Sequence, residues 1–395
     1  MDRIKPPDFA SPRFRANPFP FYARLRAEAP VYQAKVVLGP VWLVTRYDDV
    51  LTVLKDERFS NEYLGKRLWL PGFVRSLTRF LTNLDPPDHT RLRTLVHKAF
   101  APRLVERLRE RIQHVCDELL EAAAANGRLD LVRGYAMPLP LTIIADLLGI
   151  PTQDRLRFHS WSNSLIAAFS GIGDTLRALP NFWLSRRYLR KLFAERRAHP
   201  QDDLVTALVQ AEEAGDKLSE GELLAMVGML VFAGHETTVN LIASGALALL
   251  QHPQQRDRLL QNPALAGSAI EELLRYTSPA DFSTPRVTRE EVTIGSVTIA
   301  RGEVVLAVLA SANHDEAQFP DPETLDLTRE PNRHLAFGVG VHFCLGAPLA
   351  RLEGQIALTT LFRRFPNLRL AEPPESLRWR KGLFLRGLEE LPVDF

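Results

Sequence analysis

Cysteine is scarce: of 395 residues only Cys116 and Cys344 carry a thiol, and they form neither a CxxC pair nor a zinc-like cluster. A disulfide scaffold and a structural zinc fold are thereby excluded, and a reducing compartment is the simple setting. Excess charge of one sign is missing too. The 49 Lys and Arg against 47 Asp and Glu leave a formal charge of +2, too balanced for a chain that lives on nucleic acid. The N-terminus lacks the apolar core of a secretion signal, and nothing there approaches the roughly 20 apolar residues that cross a bilayer. A cytoplasmic protein without a membrane anchor is expected. The longest apolar run, residues 223–233, is broken by Gly228 and reads as a buried helix. Internal repeats and low-complexity linkers are also absent.

What remains is an ordinary globular composition, 46% hydrophobic and 24% charged, with 28 prolines to punctuate it. Two short extended runs, VYQAKVV and VWLVT, flank Gly39-Pro40 and predict a small sheet turning there. DDVLTVLKDERF then opens an amphipathic helix that an aspartate can cap. Residues 61–84 show no clean period and read as a long apolar loop. From Pro86 to about Ala125 the spacing is helical, with Cys116 inside the stripe as a small buried hydrophobe. Further helical stretches are expected around 141–148, 153–197 and 263–276. Ser219 and Glu222 have capping-box spacing and predict a long helix to about Leu250. After it the period changes to two, with a hairpin at Gly295-Ser296 and a strand in VVLAVLASAN. The expected architecture is one domain over residues 1–395, mainly helical, with small β elements at both ends.

The most informative segment is HLAFGVGVHFCLGAPLARLEGQIALTTLFRRF. Three glycines surround Cys344, and an amphipathic helix begins directly after it. Such a loop delivers a sulfur to a helix N-terminus, where free N–H groups favour a thiolate and lower its pKa. Phe337-Gly338-x-Gly340-x-His342-x-Cys344-x-Gly346 resembles the haem-binding loop of the cytochrome P-450 family at every defining position. The resemblance implies haem b as cofactor, Cys344 as axial iron ligand, Phe337 packed near the sulfur and His342 at a haem propionate. It also implies the family's fold, a single triangular-prism-like domain with a long central helix over the haem.

Within the apolar helix sits a polar insertion, Ala233-Gly234-His235-Glu236-Thr237-Thr238. Burying these groups is costly unless each finds a partner. A structural reading has Thr237 bonding back to the preceding turn and Glu236 in an ion pair. The insertion is also similar to the family's oxygen-activation signature. That similarity implies a catalytic pair, Thr237 and Glu236, that handles protons. It further implies that Ala233 and Gly234 lie against the haem, with Gly234 leaving room for dioxygen at a helix distortion. Glu272 and Arg275 match the family's E-x-x-R element, a buried structural pair that Arg329 would complete. His89, Arg93 and Arg286 match positions that grip propionates.

The resemblance, running over nearly the whole chain, implies a monooxygenase that inserts one atom of dioxygen into a hydrophobic, medium-to-large substrate. Its pocket would draw on Phe73 and Phe80 of the 61–84 loop, on Met229 and Phe232 of the long helix, and on Ala280, Asp281, Phe282 and Phe384. Asp281 could recognise an amine or hydroxyl. No flavin or iron–sulfur segment follows the cysteine helix, so electrons are expected from a ferredoxin or flavodoxin with its NAD(P)H reductase, docked on a basic face near Lys98 and Arg351. Two alternatives stay open: a peroxide-dependent oxygenase, and a non-catalytic haem-thiolate sensor.

Overall fold

The structure, a computed structural model, describes residues 4–36, 39–63, 80–99, 102–125, 127–155, 157–158, 160–161, 172–213 and 219–395. Most of the loop expected at 61–84, with Phe73, lies outside the described residues, as do residues 162–171 of the expected 153–197 helix.

Helix α1 (Pro12–Ala16) starts at Ser11, whose hydroxyl accepts from the Phe14 N–H. Helix α2 (Phe19–Glu28) leads to the antiparallel pair β1 (Val31–Val36) and β2 (Gly39–Val44). Gly39 and Pro40 open β2 instead of making the turn, and Gly39 takes a φ of +93° that suits glycine. Helix α3 (Tyr47–Lys55) is not capped by its own aspartates. Arg46 holds the cap position, and Asp315 accepts from the Tyr47 N–H at 2.8 Å across the fold. After β3 (Phe59–Ser60), the stretch expected as one helix is three: α4 (Asp88–Ala99), α5 (Pro102–Arg107) and α6 (Arg109–Ala124). Pro102 cannot continue α4 but is well placed to start α5.

Strand β4 (Arg128–Asp130) precedes α7 (Pro138–Leu147), α8 (Ile172–Ala198) and α9 (Leu204–Glu213). Helix α10 (Glu220–Gln251) carries both halves of the Ser219/Glu222 capping box and runs 32 residues, about 48 Å at 1.5 Å per residue. It is long and apolar enough to cross a membrane, but 76% of its apolar window is buried in the protein. Helix α11 (Pro253–Gln261) was not expected. Its charged, mostly exposed sequence offered no apolar stripe, and Pro253 in its first turn marks the only start signal. Helix α12 (Ala266–Thr277) follows.

The late strands are β5 (Arg286–Thr288), β6 (Val292–Ile294), β7 (Val297–Ile299) and β8 (Val304–Ala307). Beyond β8 the chain turns into α13 (Leu309–Ala312), so the expected strand is shorter than read. Helix α14 (Ala347–Arg364), β9 (Arg369–Leu370) and β10 (Pro392–Asp394) complete the chain. Strands from both ends of the sequence share one sheet, ordered β1-β2-β8-β5-β3 with β2 and β8 parallel, while β4-β10-β9 and β6-β7 form two smaller sheets. Helix α10 lies at the centre and packs on α7, α12 and α14.

A separate apolar cluster joins Phe9, Phe14, Tyr22 and Leu25 to Phe282, Leu306 and Leu383. At its edge Arg15 and Asp281, both 0% exposed, form an ion pair, and the Tyr22 hydroxyl donates to Asp281 at 2.9 Å. Asp281 is spent on neutralising a buried guanidinium, and Phe282 is committed to the N-terminal aromatic cluster. Removing one partner of a fully buried pair strands the other charge, so Asp281→Ala should lower stability by roughly 3–5 kcal/mol in guanidinium denaturation. A loss below about 1 kcal/mol, the scale of an exposed pair, would contradict this placement.

Candidate active site

The loop before α14 is closed by the Cys344 N–H, which donates to the Phe337 carbonyl at 2.9 Å. Gly338 (φ +63°) and Gly340 (φ +74°) supply the left-handed turns that bring the chain round. Gly346, at φ −81°, is the helix N-cap and needs no such freedom. The Cys344 sulfur accepts from the N–H groups of Gly346 and Ala347, as the loop's position at a helix start predicts. Its pKa is nevertheless raised. Burial pushes it up and outweighs those two donors and the guanidinium groups of Arg93 and Arg351. The expected lowering is thus corrected for the free thiol; a bound metal cation reverses that balance, since a coordinating thiol loses its proton outright. Phe337 is held by the Arg351 guanidinium 4.7 Å above its ring. Arg351 also grips Glu271 with two 2.7 Å hydrogen bonds, so it is no free cation for a docking partner. Burial works against the charge on Glu271, but Arg351 and His334 outweigh it and hold its pKa at about 2. The Lys98 side chain lies outside the described residues.

Beside the loop, donors from distant segments converge. His89 is 1% exposed, and among the described residues neither of its ring nitrogens has a hydrogen-bond partner; the same holds for His342 Nε2 and Arg286 Nε. The two imidazole rings sit 4.1 Å apart. Burial, then His89 and Arg286, drives the His342 pKa down to about 3, and burial takes Arg286 down to about 10. Arg93 donates to the Phe343 carbonyl at 2.7 Å and lines, with His89, His97 and Gly340, a cleft of about 410 Å³. Unused buried donors packed this closely repel one another unless an anion lies among them. Two carboxylates of one ligand satisfy that demand, so these residues fit the propionates of haem, with Cys344 positioned for its iron.

Across from the loop, α10 is helical throughout, without the distortion expected at Gly234. A Cβ on Gly234 would meet Ile144 Cδ1 at 3.2 Å, so its missing side chain accommodates the packing of α7. Ala233 is exposed although the helix around it is buried. Thr237 Oγ1 donates back to the Ala233 carbonyl at 3.0 Å, and Glu236, 3% exposed, is ion-paired with Arg380. His235 is fully buried, with Nδ1 donating to the Val231 carbonyl at 2.8 Å. Arg380 was missed because its partner is 144 residues away in sequence.

Glu272 and Arg275, both 0% exposed, meet at 2.8 Å. Arg329 Nε donates to Glu272 at 3.2 Å and Asn332 Nδ2 at 3.1 Å, while Arg275 reaches the carbonyls of Asn313 and Pro322. This network binds α12 to the segment that leads into the cysteine loop. Of the expected pocket residues, Met229 is buried in the central core, Phe80 packs half-buried against it, and Phe384 is half-buried against the N-terminal cluster. Ala280 bridges to Leu385. The Phe232 side chain is outside the description.

The model of the Cytochrome P450 family matches residues 10–387. The polyketide biosynthesis cytochrome P450 PksS of Bacillus subtilis (strain 168) is 44% identical over 393 residues, 96% of each chain, and its solved structure superposes with a TM-score of 0.92 over 98% of both. Cytochrome P450 107B1 of Saccharopolyspora erythraea is 48% identical over 383 residues, covering 94% of this chain and 93% of the relative. The structure of P450BioI in complex with hexadec-9Z-enoic acid ligated acyl carrier protein matches at 39% identity and a TM-score of 0.90, over 98% of this chain and 100% of that one. With Cys344 held at a helix start, buried donors gathered beside it and a match along nearly the full length, the chain belongs to the cytochrome P450 family.

Proposed function

We propose that this haem-thiolate monooxygenase, which hydroxylates or epoxidises hydrophobic organic substrates, holds its haem through Cys344, His89, Arg93, Arg286 and His342. The observation that carries this assignment is the gathering of unpartnered buried donors on His89, His342 and Arg286 next to the Cys344 loop. Haem bound there supplies the reductive activation of dioxygen, one oxygen atom going to the substrate and the other leaving as water. Phe337 and Arg351 hold the sulfur's loop rigid, and the Glu272–Arg275–Arg329 network fixes its approach. Gly338 gives the loop its turn and Gly346 starts the helix that follows.

On α10, Thr237 presents a hydroxyl beside the exposed Ala233 and is the group proposed to donate a hydrogen bond to reacting oxygen. In the described conformation its single proton goes to the Ala233 carbonyl, a bond the hydroxyl gives up when it donates to reacting oxygen. Glu236, neutralised by Arg380, keeps the polar stretch of the helix buried at low cost. The substrate is proposed to contact Phe73, Phe80, Met229, Phe232, Ala280 and Phe384, an apolar set suited to a polyketide or fatty-acyl compound. PksS, named for polyketide biosynthesis, and P450BioI, solved with a fatty-acyl carrier protein, support that range. Electrons are proposed to come from a ferredoxin or flavodoxin with its NAD(P)H reductase. The whole of 1–395 is proposed to act as one domain in the cytoplasm, a setting that suits two free cysteines.

Two substitutions test this reading. Cys344→Ser should abolish the thiolate-type Soret band of the reduced carbon monoxide complex; a variant that keeps the wild-type band would sink the ligand assignment. Thr237→Ala should bind haem normally while substrate oxidation falls on the order of 10²-fold and electrons pass to hydrogen peroxide. Unchanged coupling between NAD(P)H consumed and product formed would remove Thr237 from the mechanism.

A further inference from the structure

Helix α12 carries two adjacent acids that face different partners. Glu272 is fully buried and given over to Arg275, Arg329 and Asn332, while the half-buried Glu271 turns to the surroundings of the cysteine loop. Its oxygens accept from Arg351 Nε and Nη2 at 2.7 Å each, and one of them also accepts from His334 Nε2 at 3.1 Å. His334 can give that proton because its Nδ1 accepts from the Ala336 N–H at 3.2 Å. The Arg351 guanidinium lies 4.7 Å above the Phe337 ring, and Phe337 in turn receives the Cys344 N–H on its carbonyl at 2.9 Å. One chain of contacts therefore runs from His334 through Glu271, Arg351 and Phe337 to the sulfur.

Two cations act on the Cys344 sulfur, Arg93 more strongly and Arg351 less. Arg93 is assigned above to a propionate, whose negative charge opposes its own. Arg351 is the cation whose field the chain itself adjusts, through Glu271. Burial favours the neutral acid there, yet Arg351 and His334 hold the Glu271 pKa at about 2, so the carboxylate stays charged at neutral pH. Rigidity alone does not call for this arrangement. The loop is already closed by its own backbone bond and turned by Gly338 and Gly340, and an apolar side chain would cover the Phe337 ring equally well. We propose that Arg351 and Glu271 are positioning residues for charge at the Cys344 sulfur: Arg351 withdraws electron density from the thiolate and raises the reduction potential of the iron it ligates, and Glu271 limits that effect. The inference rests on the haem-thiolate reading above. The step concerned is the transfer of one electron from a reduced ferredoxin or flavodoxin to ferric iron; the donor loses it, the iron gains it, and no bond breaks. A nearby positive charge stabilises the more negative, reduced site, and a negative charge does the reverse. Thiolate electron density favours O–O cleavage but opposes this reduction, so two opposed charges beside the sulfur fix the compromise between them.

Redox titration of the substrate-free holoprotein with dithionite and mediator dyes reads the potential without turnover. Arg351→Gln should lower the ferric-to-ferrous equilibrium constant on the order of tenfold, about 59 mV for a one-electron couple. Glu271→Gln should raise it, and the double variant should fall between the two. Shifts of one sign in both single variants, or no shift in either, overturn the proposal, because a loosened loop has no reason to respond in opposite senses to the loss of opposite charges. Arg351→Lys keeps the charge without the planar guanidinium and should restore most of what Arg351→Gln loses; a shift as large as that of Arg351→Gln would mark a structural residue. The carbon–oxygen stretch of the reduced carbon monoxide complex gives a second readout. It should fall in Arg351→Gln, where the iron is richer in electrons, and rise in Glu271→Gln; stretches that stay fixed or move together count against the assignment. If Arg351→Gln fails to retain haem, the isosteric Glu271→Gln still decides by its sign. A wild type without a thiolate-type Soret band removes the haem-thiolate reading itself, whereas a normal band with unmoved potentials in the variants removes only the charge-setting role.

Discussion

The seating of α10 on α14 is the contact on which the rest of the site depends. One helix begins at the cysteine loop and the other carries Thr237, so their separation sets the distance between the sulfur and the oxygen-handling hydroxyl. Glycines make the approach close. A Cβ on Gly245 would meet Leu358 at 3.1 Å, and one on Gly354 would meet Leu241 at 3.0 Å. Interiors packed this tightly do not deform continuously. An interface of this kind transmits any change at one helix to the other.

Polar groups in that interior are handled in two distinct ways. Glu272 is surrounded by Arg275, Arg329, Asn332 and the Asp326 N–H, and Glu236 has Arg380, partners that are buried or half-buried with them. Glu353 has no such ion pair among the described residues, and burial pushes its pKa up to about 8. The donors beside Cys344 present a third case. Both ring nitrogens of His89, His342 Nε2 and Arg286 Nε are gathered without an acceptor among the described residues, an arrangement that suits a site receiving an anion. Structural and ligand-directed charges can thus be separated by asking whether each buried group is satisfied within the chain.

Local signals carried much of this arrangement. The capping box at Ser219 and Glu222 located the central helix to within a residue, because both halves of that device lie in one turn. The cysteine loop was legible for the same reason: its glycines, its sulfur and the helix after it are contiguous. What escaped the sequence was long-range. Arg380 for Glu236, Arg15 for Asp281 and Asp315 for the start of α3 each come from far along the chain, and no spacing rule links them. An isolated loop aspartate such as Asp281 looks the same in sequence whether it faces a ligand or a guanidinium.

Glu353 is the instructive exception, since its signal was local and went unread. In α14 the buried stripe runs Leu349, Leu352, Glu353, Ile356, Ala357, so an acid occupies a core position of a helix at its natural period. An ionisable group placed there either recruits a countercharge or gives up its own charge. The first outcome cannot be read without the fold; at Glu353 burial favours the second, pushing the pKa up to about 8. A polar residue in phase with an apolar stripe is therefore informative before any partner is known. It marks a position where the protein has accepted a cost in stability.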